Sequence, residues 1–369
     1  MIDDLTKMMV EVTGRCNAMC PNCSRNIDGV KVDYDTLGPA SGWDMPMHIV
    51  KKVFTNRILN AVDDIELNGC FGDAPSHPDF KNIVKHIVAN APGYKETRVQ
   101  VHTNGSIHST EWWHDLAEIT NVPNMSFVVH FAIDGVDQET HSTYRRLTNL
   151  QKVFDNAKAF MNNGGETQWE MIEFDYNAHQ VTTARSMSKE MGFGNFNVKK
   201  GSRNFVYLKN KLENKPVIKA EESKKHKKTN ITVEQRPQFK ALEKFVAKEF
   251  DDKKSIKQNL ENYATKTDIV CKWDQPKEKG IFVAYDGVVH RCCYTGDNHR
   301  IFPKEWKDKI VSNYGEKFNN LHYHDMQSIL AHDYFQKYLP QSFEDPQGSG
   351  YQRLTKCIEN CGKHRHFLD

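Results

Sequence analysis

Three cysteines near the start of the chain, Cys16, Cys20 and Cys23, have the spacing C-x3-C-x2-C within the segment GRCNAMCPNCSRN. A structural zinc site uses four ligands, and a disulfide framework uses an even number of cysteines. Three thiolates on a cubane iron–sulfur cluster instead leave one iron open to a substrate or cofactor. The spacing therefore favours an open cluster. A zinc site with a distant fourth ligand and three incidental thiols are the alternatives.

The elements that position this loop alternate between short apolar runs and longer amphipathic ones. Strands are expected at Lys7–Thr13, Asp64–Asn68, Thr97–His102, Ser126–Ile133, Gln168–Phe174 and Phe196–Lys199. Helices are expected at Met47–Ala61, Phe80–Asn90, Thr110–Thr120, Leu150–Asn162 and Gln180–Met191, with Gly164/Gly165 and Gly192 at helix C-caps. Such alternation predicts a parallel sheet of about six β/α units, fewer than the eight of a complete barrel. The cysteine loop follows the first strand, at the edge where such sheets place their active sites.

Later strand ends carry glycine, acidic and amide residues. They read IELNGCFGDAPSHPDF, VQVHTNGS and VVHFAIDGVDQETHSTYRR, and Asn177 follows the fifth strand. Together with the C-x3-C-x2-C loop, these segments resemble the radical S-adenosylmethionine (radical SAM) superfamily over about two hundred residues. The resemblance implies a partial (β/α)6 TIM-type barrel that binds a [4Fe–4S] cluster and S-adenosylmethionine (SAM).

The resemblance also implies which residues hold the cofactor. Cys16, Cys20 and Cys23 would bind the cluster, and the glycine-rich turn with its acid would receive the methionyl amino group. Arg145 would hold the ribose or the carboxylate of SAM, since a guanidinium can donate two parallel hydrogen bonds to a carboxylate. The full set of expected cofactor-binding residues is Gly69, Gly72, Asp73, Thr103, Asn104, Asp134, Arg145 and Asn177.

Three positions depart from the family pattern. Asp73 replaces the usual Glu and has a shorter side chain. Ala132 stands where relatives have a serine that contacts SAM, so that contact must come from elsewhere. Asn22 replaces an aromatic residue that stacks near the adenine in many relatives.

A second group of cysteines occupies the last third of the chain. Asp286–Gly287 lies between two apolar runs and predicts a hairpin, because such a turn needs positive φ. The hairpin would bring Cys292 back beside Cys271. A closely spaced pair, Cys357 and Cys361, follows near the end.

This second group resembles the C-terminal SPASM or twitch extension of many radical SAM enzymes. The resemblance implies one closed auxiliary [4Fe–4S] cluster on Cys271, Cys292, Cys357 and Cys361. Cys293 is the alternative to Cys292, and side-chain alternation along a strand would let only one of the two face the cluster. A four-cysteine zinc site is the alternative to the cluster itself.

Composition limits the other possibilities. Fifty Lys and Arg residues against 48 Asp and Glu give a net charge of +2, which indicates no particular partner, so no nucleic acid is expected. The N-terminus lacks the apolar run of a signal peptide, and no apolar stretch is long enough to span a membrane. A cytoplasmic location is therefore expected, and nine cysteines in a reducing compartment favour metal binding over disulfides.

The expected organisation has three parts. Residues 1–205 would form the barrel, residues 206–265 a lysine-rich and helical connection, and residues 266–369 the auxiliary-cluster domain. Within the connection, Lys209–Lys228 has no hydrophobic period and is predicted to be solvated, with a basic docking strip as the alternative.

The function that the resemblance implies is that of a radical SAM oxidoreductase or modifying enzyme. Reductive cleavage of SAM would give a 5′-deoxyadenosyl radical that abstracts hydrogen from a peptide or protein side chain, or from a small metabolite. A reductant such as flavodoxin or ferredoxin would supply the electron. The residues that act on the substrate are not identified by the sequence. The alternative function is a non-catalytic zinc-binding scaffold.

Overall fold

A computed structural model of the chain describes residues 2–20, 23, 44–69, 71–174, 176–200, 268–275, 278–301, 303–344 and 353–362. The expected lysine-rich and helical connection, residues 206–265, lies outside the described residues, as do Asn22 and Cys70. Among the described residues, no helix has the length and apolar character needed to cross a membrane.

One mostly parallel sheet organises the described chain. Its strands are β1 (Lys7–Val10), β2 (Asp64–Leu67), β3 (Thr97–Thr103), β4 (Met125–Ala132), β5 (Glu166–Glu173), β6 (Asn195–Lys200), β7 (Asp274–Gln275), β8 (Glu278–Val283) and β9 (Val289–His290). Their order is β6-β5-β4-β3-β2-β1-β8-β7, with β9 beside β8. Strands β1 to β6 pair in parallel with successive neighbours, and within the described residues the sheet does not close. The predicted partial (β/α)6 barrel is confirmed.

Helices connect the first six strands. They are α1 (Met47–Val53), α2 (Asn56–Ala61), α3 (Phe80–Asn90), α4 (Thr110–Thr120), α5 (Gln138–Tyr144), α6 (Leu150–Asn162) and α7 (Val181–Glu190), with 3-10 turns at Ala74–Ser76 and Ala178–Gln180. Gly164 and Gly192 have φ of +83° and +89°, as expected of residues that end helices. The helix predicted over 47–61 is instead two helices, because Thr55 caps the second one by accepting a hydrogen bond from the Ile58 amide.

The two faces of the sheet differ in polarity. On one face, alternate residues such as Val101, Phe131 and Trp169 are buried under the helices, where Phe131 packs against Trp113 of α4. Side chains alternate along a strand, so the intervening residues point to the opposite, concave face. That concave face is where the polar residues of β3 to β6 lie.

The C-terminal segment joins the same sheet. Strand β8 pairs in parallel with β1 and returns through a hairpin to β9. At the turn, Gly287 has φ of +80°, and the Ala284 amide donates to the Val288 carbonyl at 2.9 Å. The predicted Asp-Gly hairpin is thus present, and the sheet continues across the expected division at residue 266.

Short helices complete the C-terminal part. These are α8 (Cys293–Ile301), α9 (Pro303–Trp306), a π-helical turn (Lys307–Val311), α10 (Ser312–Tyr314), α11 (Met326–Ala331), a second π-helical turn (Tyr334–Tyr338), α12 (Leu339–Glu344) and α13 (Thr355–Cys361). Helix α13 carries Cys357 and Cys361, and helix α8 begins directly after Cys292.

Candidate metal and cofactor sites

The N-terminal cysteine loop forms part of a small apolar cluster at the C-terminal edge of the sheet. Cys20 is buried together with Tyr144 and Phe174, and Cys16 and Cys23 pack against this group. The Cys23 amide donates to the Cys20 carbonyl at 3.1 Å, which turns the loop back on itself. Burial raises the pKa of the Cys20 thiol to about 11. A bound metal would supply the positive charge that favours the thiolate.

A buried ion pair lies next to this loop. Arg145 donates from Nε to Oδ2 of Asp134 at 2.6 Å, and its Nη1 lies 3.9 Å from Sγ of Cys20. Asp134 is completely buried, and its Oδ1 accepts from the Ile172 amide at 2.6 Å. Burial by itself would lower the pKa of Arg145, but the charges of Asp134 and Cys20 outweigh it and raise that pKa well above its usual value. The loop therefore faces a fixed positive charge.

Two residues hold Asp134 in place through its backbone. Asn177 donates from Nδ2 to the carbonyls of Asp134 and Ile172, both at 2.9 Å, and its Oδ1 accepts from the Phe174 amide at 2.7 Å. His141 is kept neutral because burial lowers its pKa to about 3, so its Nδ1 accepts from the Asp134 amide at 3.2 Å. The side-chain amide of Asn177 thus fixes the end of β4, and its expected role in binding the cofactor stays a prediction.

The expected acid of the glycine-rich turn is linked to the end of β3. Asp73 is buried, and its carboxylate accepts from Oγ1 of Thr103 at 3.1 Å and from the Asn104 amide at 2.8 Å. The Asn104 side chain in turn donates to Oδ1 of Asn17 at 2.9 Å and lies 3.6 Å from Sγ of Cys16. These hydrogen bonds connect the turn, the end of β3 and the cysteine loop into one network.

Glu11 is a site residue that the sequence analysis missed. This carboxylate is almost completely buried, and its Oε1 accepts from the amides of Phe71 and Gly72 at 2.7 and 3.3 Å. A side chain at Gly69 would lie 2.5 Å from Glu11, and one at Gly72 would lie 1.6 Å from the Thr13 carbonyl oxygen. Both glycines are therefore required for close packing of the turn against the end of β1. A carboxylate inside an otherwise apolar strand run was the signal in the sequence.

A second missed group lies on the concave face. Glu170 accepts from His130 Nδ1 at 3.2 Å through Oε1, and from His102 Nδ1 at 3.1 Å and Lys199 Nζ at 2.8 Å through Oε2. We call these four residues the Glu170 cluster. Burial by itself would raise the pKa of Glu170, but the bonds from both histidines and the charge of Lys199 outweigh it and lower that pKa.

The Glu170 cluster has the residue types of a metal site but not the geometry. The three ligand atoms of His102, His130 and Glu170 lie within 4.8 Å of one another. However, the two rings stack with centroids 4.3 Å apart and planes 22° apart. Both Nδ1 atoms donate to Glu170 and so have no lone pair for an ion, and Lys199 donates to the same carboxylate. The group is better described as a hydrogen-bonded ion pair.

The second group of cysteines converges on one cavity. Cys271, Cys292, Cys357 and Cys361 all line it, and the Val270 amide donates to the Cys361 carbonyl at 2.9 Å. Burial raises the pKa of Cys292 to about 12. Four thiols around one cavity are a donor set that suits either an iron–sulfur cluster or zinc.

Cys292 and Cys293 are arranged differently from the expected strand alternation. Strand β9 ends at His290, and Cys293 is the first residue of helix α8. Cys292 is buried and lines the cavity, whereas Cys293 is half-buried and is not among the cavity residues. The different positions of the two side chains therefore come from the start of helix α8 at Cys293. They do not come from the alternation of side chains along a strand.

Two solved structures share this fold. The first is the sulfatase-maturating enzyme anSMEcpe with bound AdoMet and the Kp18Cys peptide, with 14% identity, a TM-score of 0.51, and coverage of 92% of this chain and 83% of that one. The second is SuiB of Streptococcus suis bound to its precursor peptide SuiA, with 11% identity, a TM-score of 0.52, and coverage of 96% and 76%. No family model matches the chain, and no curated protein matches it. The chain therefore has the fold of radical SAM enzymes, to which both structures belong.

We expect substitution of Asp134 to cause a large loss of stability, because it breaks the ion pair with Arg145. Asp134→Asn leaves the mostly buried guanidinium of Arg145 without its counter-charge, which costs about 3 kcal/mol. The matched control is Asp3→Asn, which removes the partner of exposed Arg57 and should leave the unfolding midpoint unchanged. Urea unfolding of both variants makes the comparison. Equal midpoints for Asp134→Asn and the wild type would show that the pair does not hold the site.

We expect the Glu170 cluster to contribute to the free energy of unfolding in a way that is lost at acidic pH. The pKa of Glu170 is lower in the folded than in the unfolded state, so this contribution is complete above about pH 4.3 and is lost as the pH falls further. Glu170→Gln should be less stable at neutral pH and should lose less stability than the wild type on acidification. Glu166→Gln, on the exposed start of β5, is the control. Parallel pH profiles of thermal unfolding for the wild type and Glu170→Gln would contradict this account.

Proposed function

We propose that this chain is a radical SAM enzyme whose [4Fe–4S] cluster is held by Cys16, Cys20 and Cys23. The observation that carries the proposal is the arrangement of the cysteine loop at the C-terminal edge of an open parallel sheet. There the loop faces a fixed guanidinium and is bonded to the ends of neighbouring strands. When bound, the cluster would supply one electron to SAM, which would be cleaved to methionine and a 5′-deoxyadenosyl radical able to abstract hydrogen from the substrate.

The residues beside the loop would bind and orient SAM. Arg145 uses Nε for Asp134, which leaves the outer side of its guanidinium for the carboxylate of SAM. Asp73, fixed by Thr103 and Asn104, would lie near the methionyl amino group. Gly69 and Gly72 allow the turn to pack closely against β1, and Asn177 keeps Asp134 and hence Arg145 in position.

We propose a peptide or protein side chain as the substrate, with a small metabolite as the second possibility. Both solved structures described above contain peptides, and the Glu170 cluster lines the concave face near the C-terminal ends of β3 to β6. His102 and Lys199 are partly exposed there, so they are positioned to contact a polar group of the substrate.

The remaining parts of the proposal concern the C-terminal cavity and the partners. Cys271, Cys292, Cys357 and Cys361 would hold one auxiliary [4Fe–4S] cluster, in a C-terminal part from residue 266 that follows the barrel of residues 1–205. A cytoplasmic flavodoxin or ferredoxin would be the reductant. The auxiliary cluster rests on the four converging thiols, and the reductant rests on the electron that cleavage of SAM would need.

The test is SAM cleavage by anaerobically reconstituted protein with dithionite as the reductant. The Cys16→Ala, Cys20→Ala, Cys23→Ala triple variant should make no 5′-deoxyadenosine, because no ligand of the first cluster is left. It should still keep its C-terminal irons, since that cavity is built from other elements. Formation of 5′-deoxyadenosine by the triple variant at the wild-type rate would refute the proposed function.

Single substitutions at the C-terminal cavity separate the two clusters. Cys292→Ala should lose about four irons and still cleave SAM without substrate, because that reaction needs only the first cluster. Cys293→Ala is the matched control and should keep all its irons, since Cys293 lies outside the cavity lining. Loss of iron from Cys293→Ala but not from Cys292→Ala would show that Cys293, and not Cys292, is the cluster ligand. Zinc in place of iron would identify a structural zinc site.

A further inference from the structure

Arg291 is a buried cation at the cavity of the second cysteine group. The residue is 9% exposed, directly precedes Cys292, and lines the same cavity as the four cysteines. Its guanidinium lies over the ring of Phe335, 5.7 Å from the ring centroid. An arginine stays protonated at any pH at which proteins are folded, so this is a permanent charge in a mostly apolar environment.

Among the described residues, little balances this charge. Arg291 pairs with the carboxylate of Asp274, but Oδ1 lies 3.8 Å from Nη1, well beyond the distance of a charge-assisted hydrogen bond. Asp274 is also partly exposed, so solvent weakens its attraction. Burying a charge without a close partner is costly. A guanidinium in this position therefore indicates that a further negative charge belongs nearby.

Four cysteine thiolates around a [4Fe–4S] cluster would supply that negative charge. The cluster with its ligands is anionic, and it becomes more so when it takes up one electron. A nearby positive charge stabilises the reduced form more than the oxidised form, and net charge and hydrogen bonds near the sulfurs are among the factors that set cluster potentials.

We propose that Arg291 is the counter-charge of the auxiliary cluster and raises its reduction potential, which makes the cluster a better electron acceptor. This inference rests on the auxiliary cluster of the proposed function. Asp274 acts in the opposite direction, since its negative charge partly offsets that of Arg291. Arg291 is a positioning and tuning residue and not a ligand, because its side chain carries only donors.

The experiment is a redox titration of the reconstituted wild-type protein, followed by electron paramagnetic resonance. Arg291→Gln keeps the size and some of the donors but removes the charge, so the auxiliary cluster should titrate at a more negative potential. We expect the ratio of reduced to oxidised cluster at a fixed potential to fall about ten-fold, which is about 59 mV for one electron. Arg291→Lys keeps the charge and should stay close to the wild type.

Two further variants make the result decisive. Asp274→Asn removes the opposing charge and should shift the potential in the positive direction, and it carries the test if Arg291→Gln fails to bind iron. Arg57→Gln, on the surface beside Asp3, is the control and should change nothing. The N-terminal cluster of the same molecules is an internal reference.

The outcomes distinguish this inference from the proposed function. Full iron loading with unchanged auxiliary potentials in Arg291→Gln and Asp274→Asn would overturn the inference and leave the proposed function standing. Wild-type protein that holds zinc at the second group of cysteines would overturn both the auxiliary cluster and the inference.

Discussion

The buried ion pair of Asp134 and Arg145 is the interaction on which the rest of the candidate site depends. It lies where β4 ends, and its carboxylate also accepts a backbone hydrogen bond from Ile172 of the next strand. A buried pair of this kind is stabilising only when its remaining polar groups are bonded, and here the Ile172 amide bonds the second carboxylate oxygen. Asn177 and His141 hold the backbone of Asp134. The consequence is a guanidinium with a fixed orientation beside Cys20.

The network extends from this pair across the edge of the sheet. Asp73 is bonded to the end of β3, and Asn104 connects the end of β3 to the cysteine loop. Glu11 holds the glycine-rich turn from the end of β1. Because each contact is anchored on a strand end, the order of the parallel strands determines the geometry of the site. Loops alone would position these groups with less accuracy.

The sequence predicted the repeating architecture well, because hydrophobic period and turn residues are local signals. The bounds of α3, α4 and α6 and the Asp-Gly hairpin agree with their patterns. The sequence pattern over residues 47–61 predicts one helix, because nothing local marks Thr55 as the cap that starts a second one.

Contacts between residues that are far apart in the sequence could not be predicted from local patterns. The Glu170 cluster joins residues of four strands, and only the register of the parallel sheet brings them together. Glu11 was missed for the same reason, since its partners lie on the turn after β2. The strand expected through Cys292 and Cys293 ends at His290, and Cys293 begins a helix instead, while the choice of Cys292 as the ligand stays a prediction. The sequence alone does not show that the Arg291 side chain lines the same cavity as the four cysteines.

The most direct test of the central claim is the electron paramagnetic resonance spectrum of the reduced, reconstituted protein with and without SAM. If the cluster on Cys16, Cys20 and Cys23 has an open iron, addition of SAM should change the signal of that cluster, because the amino and carboxylate groups of SAM become its ligands. The auxiliary signal should not change. A spectrum that is identical with and without SAM, or a protein that binds zinc at this loop, would contradict the account.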